Sequence, residues 1–416
     1  MDESNNESTV GDNEGEEKTM RTEPLCTDWA STPREKLQGA MKMAEKFMEE
    51  KEVHKAIREL IRYVALTRII HGDGHWKMAQ AFTSLAHGYL ILQGLPAQAI
   101  QHAESARRAL LTRGHLPSPS LGEKGEILGT LVTLYYTLGT AHLAQNNGKE
   151  SYVNLQKAEK IMEELQKLDG RVITGLKVSQ KDLVIALGRT CLQQNKLGFA
   201  MGYFEKAVTA VTSAEGDMAP ELISLYQEIA QMEKLKENYE QAIGYLLKAH
   251  SICVALHREL SIEAAQTGLL LGKAYAATGE EQHIVAAEMH FTGSLSAYRT
   301  MLSADDAQTL RAVTEFSKWL VRVGKKQQAY KLLDDSLKAN IDINGGFSEK
   351  MVEIYHLMGS ICLAEGEIRE AHQLFNKCLQ IQLAVYGPQH GKPRAMRELL
   401  NMLKSSAVCE ENRPLG

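Results

Sequence analysis

Cysteine is sparse and unpatterned. The 416 residues hold six (Cys26, Cys191, Cys253, Cys362, Cys378 and Cys409), and no two form a C-x-x-C pair. This spacing excludes the dense disulfide framework of a small secreted domain and predicts free thiols in a reducing compartment. Proline is scarce too, 9 residues against 32 glycines, which fits a uniform, helix-rich chain more than a mosaic of domains. Positive charge is not in surplus: the net charge is -5, so a general nucleic-acid binder is not expected. No apolar leader opens the sequence. Its first 30 residues carry nine acids against Lys18 and Arg21, leaving the other 386 residues at +2, and residues 1–31 are expected to be a disordered acidic head. One stretch that could be mistaken for a membrane span, residues 127–148, holds no Asp, Glu, Lys or Arg. Thr130, Thr133, Thr137, Thr140, His142 and Asn146 within it would need partners in hydrocarbon, so a buried helix is expected rather than a membrane insertion.

Catalytic signatures are missing as well: there is no H-E-x-x-H and no G-x-S-x-G. Gly268-Leu-Leu-Leu-Gly272-Lys273 is one residue short of a phosphate loop and has Ala274 where a magnesium-binding Ser or Thr belongs. His250 and His257 find no third ligand, and Cys191, Cys362 and Cys378 fall at core positions. No enzyme activity, cofactor or metal is expected.

What the chain does have is a repeat. Tyr355, Met358, Gly359, Cys362, Ala371, Phe375 and Cys378 follow offsets of 0, 3, 4, 7, 16, 20 and 23. Val184, Leu187, Gly188, Cys191, Ala200, Phe204 and Ala207 follow them too, as do Tyr135, Leu138, Gly139, His142, Ser151, Leu155 and Ala158. Those are the offsets of the tetratricopeptide pattern, in which a small anchor residue lets one helix cross closely over the next. The eight anchors are Ala44, Ala86, Gly139, Gly188, Ala230, Gly272, Ser317 and Gly359, and four of their seven spacings are 42 residues. Glycines stand 28 residues after four anchors, at Gly72, Gly216, Gly345 and Gly387, where each is expected to end a second helix in the left-handed conformation. His71 and His75 in His-Gly-Asp-Gly-His resemble a metal motif, but Gly72-Asp-Gly-His75 and Gly387-Pro-Gln-His390 lie at equal distances from their anchors. His75 is therefore assigned to the repeat's turn.

The expectation is all-α: a right-handed α-solenoid of about eight tetratricopeptide (TPR) hairpins spanning 32–408. The units fall at about 37–77, 78–124, 125–176, 177–222, 223–264, 265–309, 310–351 and 352–392, followed by a capping helix over 393–408 and a flexible tail over 409–416. Thr32-Pro33-Arg34-Glu35 has the residues of a helix start. Residues 107–126, with Gly114, Pro117, Pro119, Gly122 and Gly125, read as a surface loop in which Ser118-Pro119 is an unmodified turn.

Units of 42 residues ending in G-x-x-H resemble the tetratricopeptide repeats of kinesin light chains. The segments Tyr63-Val-Ala-Leu-Thr-Arg-Ile, Gly72-Asp-Gly-His-Trp-Lys, Ala86-His-Gly-Tyr-Leu, Tyr135-Tyr-Thr-Leu-Gly and Leu399-Leu-Asn-Met-Leu-Lys-Ser-Ser resemble the tetratricopeptide repeat protein 23 family, and within it the 23-like members most. The likeness covers roughly residues 30–408. It implies a protein-interaction scaffold in the cytoplasm, associated with the microtubule cytoskeleton at centrosome, spindle, midbody or cilium.

A repeat solenoid presents the first helices of its units along one concave wall. At 100° per residue, positions -6, -3, +1 and +4 from each anchor should line it. These place Arg189, Gln227, Gln231, Lys234, Lys273, Arg311 and Lys318 on the wall, with Asp182 the one acid opposing the cations of four consecutive units. The expected partner is a protein or peptide with acidic segments, or the chain's own acidic head. No unit has the Asn pair that clamps a C-terminal carboxylate in chaperone-binding repeats. The competing readings are direct tubulin binding through surface charge and a regulatory subunit of an enzyme.

Overall fold

The structure, a computed structural model, describes residues 32–111, 120–168, 177–344 and 348–411. The acidic head, Ser118-Pro119 and Gly345 lie outside the described residues. The chain divides into two compact units, Met1–Thr130 and Leu131–Gly416.

Helix formation begins where the sequence places its cap. Thr32 Oγ1 accepts the Glu35 N–H at 3.3 Å and the Glu35 carboxylate accepts the Thr32 N–H at 2.7 Å, with Pro33 at the first helical position. The described residues form seventeen α-helices and no strand. The first unit holds α1 (Pro33–Glu49), α2 (Val53–His71), α3 (Trp76–Gln93) and α4 (Pro96–Leu111). Next comes α5 (Leu121–Ala144), which begins in the first unit and ends in the second. The second unit continues with α6 (Gly148–Lys167), α7 (Gln180–Gln193), α8 (Leu197–Glu215), α9 (Glu221–Leu235), α10 (Tyr239–His257) and α11 (Ile262–Thr278). It then runs through α12 (Ile284–Met301), α13 (Ala307–Arg322), α14 (Lys326–Asn344), α15 (Met351–Ala364), α16 (Ile368–Tyr386) and α17 (Gly391–Glu411). Successive helices pair as hairpins of the α-solenoid class. α17 covers the last hairpin by burying Met396, Leu400 and Leu403 in the same core as Phe375 and Cys378.

Anchor residues occupy equivalent crossings. A Cβ added at Gly139 would stand 2.5 Å from Leu155 Cγ, at Gly188 2.9 Å from Phe204, at Gly272 3.0 Å from Phe291 and at Gly359 2.8 Å from Phe375. The four residues met are those at the repeat's large second-helix position. Each glycine is therefore small because its own unit's second helix drives a side chain against it. Ala44, Ala86, Ala230 and Ser317 are equally buried, and the Ser317 hydroxyl finds no hydrogen-bond partner among the described residues.

Two turns recur with the same backbone. Seven residues after the anchor φ is positive in seven hairpins, at Lys51, Asn146, Asn195, Glu237, Gly279, Gly324 and Gly366. This is the connection between first and second helix. Twenty-eight residues after the anchor the second helix ends at Gly72, Gly216 and Gly387, but with φ of 75, 87 and 77° and ψ of 170, 176 and 165°. The expected left-handed helical geometry is thus corrected to an extended one at positive φ, which sends the chain directly into the next first helix. Arg258 fills the same place with φ 72° and ψ 167°, a region essentially reserved for glycine that costs another residue about 1–3 kcal/mol. Arg258→Gly is expected to raise the unfolding free energy by about 1–2 kcal/mol, read as a later urea midpoint; an unchanged midpoint would count against strain there.

The loop expected over 107–126 is shorter. α4 runs to Leu111 and α5 starts at Leu121, because Ser120 and Glu123 form a capping box: Ser120 Oγ accepts the Glu123 N–H at 3.3 Å and the Glu123 carboxylate accepts the Ser120 N–H at 3.1 Å. Gly122 and Gly125 are carried inside that helix. α5 is the one described helix long and apolar enough to cross a membrane, and half of that window is buried in the protein. Thr130, Thr137 and Thr140 return their hydroxyl protons to carbonyls of their own helix at 2.8, 2.7 and 2.8 Å, and Leu134, Leu138 and Ala141 pack in the interior.

Candidate functional site

In the second unit, charged side chains join the first helices α7 to α9, α11 to α13 and α13 to α15. Arg189 on α7 grips Glu228 on α9, Nε donating to both carboxylate oxygens at 2.9 and 3.1 Å and Nη2 to one at 2.6 Å. Lys273 on α11 pairs with Glu315 on α13 at 2.6 Å. Lys318 on α13 reaches Glu315 at 3.3 Å and Glu353 on α15 at 2.6 Å. Gln231 and Arg311 are exposed and Gln227 half-buried on the same helices.

The row of cations expected on this wall is therefore present but not as a uniformly positive strip. Glu228 and Glu315 both sit two residues before their anchors, a position assigned to neither the wall nor the packed side. The repeated offset was a signal in the sequence, yet which cation each acid meets is decided only when hairpins stack. Burial alone would raise the Glu315 carboxyl, but hydrogen bonds and charge from Lys273 and Lys318 hold it below the usual range. Although burial works against the Lys318 ammonium, Glu353 and Glu315 push it up, and the Glu228 bond does the same for Arg189. Leu269, Thr314, Thr133, Thr83 and His87, placed on the wall by helical angle, are instead buried.

Lys234 behaves differently. Burial, followed by repulsion from Lys273, pushes its ammonium below the ordinary lysine value, with Glu315 opposing weakly. Among the described residues it forms no ion pair. It is a half-buried cation held next to a second cation, with a polar neighbourhood of Gln227 and Gln231.

Other candidate chemistry resolves into structure. His75 Nδ1 accepts the Lys77 N–H at 3.2 Å at the start of α3, and His390 Nδ1 accepts the Lys392 N–H at 3.2 Å at the start of α17. Their rings stack at 4.8 Å on His71 and Tyr386, which occupy matching sites. Both histidines are helix caps. The described cysteines Cys191, Cys253, Cys362 and Cys378 are free and buried, and burial pushes Cys362 and Cys378 up to about 11, away from thiolate reactivity. Glu240, Glu280 and His283 converge beside the α9–α10 turn. The two carboxylates face opposite nitrogens of the ring, at 3.8 and 3.7 Å, and Nδ1 already meets Thr278 Oγ1 at 3.0 Å.

No family model matches the sequence. Curated relatives do. The chain is 46% identical over 404 residues to the mouse tetratricopeptide repeat protein 23-like, covering 96% of this chain and 87% of that one. It is 32% identical over 390 residues to human tetratricopeptide repeat protein 23, covering 94% and 86%. Among solved structures, the apo form of the quorum sensor NprR from B. thuringiensis superposes with a TM-score of 0.52 at 13% identity, covering 89% of this chain and 98% of that one, a likeness of fold. With matching hairpins, anchors in register and this extent of identity, the chain belongs to the tetratricopeptide repeat protein 23 family.

Proposed function

We propose that this protein is a non-enzymatic interaction scaffold that binds an extended partner segment across the first helices of its second unit, with acidic side chains of that segment meeting Lys234 and Arg311. The observation that carries the reading is Lys234, a half-buried cation of the first helices that forms no ion pair among the described residues and that burial and Lys273 disfavour more than Glu315 favours. An incoming carboxylate removes that penalty in a partly desolvated setting, where charge-assisted bonds are strongest. Arg311 offers an exposed, bidentate-capable fork on α13. Arg189, Lys273 and Lys318 serve this wall by holding Glu228, Glu315 and Glu353 in place, and Gln227 and Gln231 supply bonds to the partner's backbone.

The partners proposed are cytoskeletal, centrosomal or ciliary proteins, which makes the chain an adaptor of microtubule-based structures; support for this place comes from the family resemblance alone. Lys234→Glu combined with Arg311→Glu is expected to weaken capture of proximity-labelled partners by about tenfold or more, roughly 1.4 kcal/mol, while the circular dichroism melt stays put. Undiminished capture would remove the wall from the binding reaction.

A further inference from the structure

Arg189, Lys273 and Lys318 on the wall are matched by carboxylates; a set of lysines on the second helices α6, α8 and α10 is not. Twenty-two residues after the first repeat position of three consecutive hairpins (Tyr135, Val184 and Tyr226) stand Lys157 on α6, Lys206 on α8 and Lys248 on α10. All three are exposed. Each holds its ammonium over a tyrosine: Lys157 at 5.3 Å from the Tyr135 ring centre, Lys206 at 5.7 Å from Tyr203, Lys248 at 5.7 and 5.5 Å from Tyr226 and Tyr245. Lys196, in the turn before α8, adds a fourth at 4.8 Å over Tyr152. The hairpin whose first position is Val184 lacks the tyrosine found there in its neighbours, and Tyr203 supplies the ring from the second helix instead. The offset returns once more at Lys377, 5.6 Å over Tyr355.

Among the described residues none of these lysines is in an ion pair, whereas Arg189, Lys273 and Lys318 each are. No Asp or Glu stands three or four positions from Lys157, Lys206 or Lys248, the distance at which a helix would neutralise them. Glu159 feels Lys206, yet burial and Glu163 hold its carboxyl above the usual range. A ring face attracts an ammonium without cancelling its charge. It removes water from one side and leaves the other open.

We infer that this ladder on the second helices of α6, α8 and α10 is a docking surface for an acidic segment of a partner polypeptide, separate from the first-helix wall. Charge complementarity selects the occupant. A nucleic acid strand would also be attracted, but it binds such surfaces by stacking bases on aromatic faces, and here the lysines occupy those faces. One hairpin displaces the next by at least a helix diameter, about 10 Å, and an extended chain rises about 3.3 Å per residue. A carboxylate at every third or fourth residue would therefore meet successive rungs.

The test uses the full chain carrying Lys234→Glu and Arg311→Glu, which removes the first-helix wall as a second acidic-segment site, and a fluorescein-labelled peptide repeating Glu-Gly-Ser, with anisotropy read at roughly 50 and 200 mM salt. Binding that weakens with salt is expected. The variant combining Lys157→Gln, Lys206→Gln and Lys248→Gln should lose about tenfold or more in affinity and flatten the salt dependence. Arginine at the same three positions keeps both charge and ring contact and should bind within about threefold of the chain with all three lysines. The inference is overturned if the peptide does not bind, if the arginine variant falls with the glutamine one, or if the glutamine variant keeps its affinity. Tighter binding of a single-stranded oligouridylate of the same length would also overturn it, by assigning the ladder to RNA.

Discussion

Phe204→Ala is expected to lower the unfolding free energy by about 3–5 kcal/mol. The ring is fully buried on α8 and is packed with Cys191, Ala200, Val211, Leu222 and Leu225, residues contributed by three helices. It is also the side chain that fills the space Gly188 leaves open. Losing it removes the contact inside one hairpin and the contact between that hairpin and the next. In a chain whose stability is close to a sum of hairpins and their interfaces, a break in the middle divides the array. Urea unfolding followed by circular dichroism is therefore expected to change from one transition to two. Phe199→Ala, five residues earlier on the same helix but 67% exposed, is expected to shift stability by less than about 0.5 kcal/mol. Equal effects at the two positions would contradict the assignment of Phe204 as the residue that seats the crossing.

At Gly139 the crossing can be tested from the other side. Gly139→Val places a Cβ 2.5 Å from Leu155 Cγ and 3.2 Å from the Ser151 carbonyl oxygen, contacts that a rotation of the leucine tip cannot relieve. The expected cost is about 3 kcal/mol, the upper end for overpacking. Leu155→Ala alone opens a cavity and costs about 2–5 kcal/mol. Together the two changes partly compensate, and the double variant should be more stable than the sum of the singles by 1 kcal/mol or more, within the range of coupling for residues in contact. Additive costs would mean that the helices do not meet there.

Much of the fold was legible from the sequence because the features that build a hairpin repeat within it. The anchor and the bulky residue that presses on it stand at fixed offsets, so Gly188 with Phe204 and Gly359 with Phe375 could be paired before any coordinates were known. Caps are local in the same way: Thr32 with Glu35 lies within one turn of helix. Ser120 with Glu123 carried an equal signal, which the surrounding glycines and prolines obscured. The positive-φ turn seven residues after the anchor was less visible because Lys51, Asn146, Asn195 and Glu237 share no side-chain chemistry with Gly279, Gly324 and Gly366. What repeats there is a backbone shape.

The wall was only half legible. Helical angle placed Arg189, Lys234, Lys273, Arg311 and Lys318 on the first helices, but angle alone says nothing about the neighbour. Arg189 meets an acid 39 residues away and Lys318 one 35 residues away, each on the following hairpin. Lys157 and Tyr135, which belong to one unit, meet across its two helices.

The sequence by itself determined the secondary structure, the hairpin register and the small-against-large crossings, because each depends on residues within one repeat and the spacing of that repeat is written in the chain. Only the tertiary structure decided which cations are neutralised and which are left open. A charge is satisfied by whatever lies within about 4 Å of it, and across stacked hairpins that distance is set by packing, not by position along the chain.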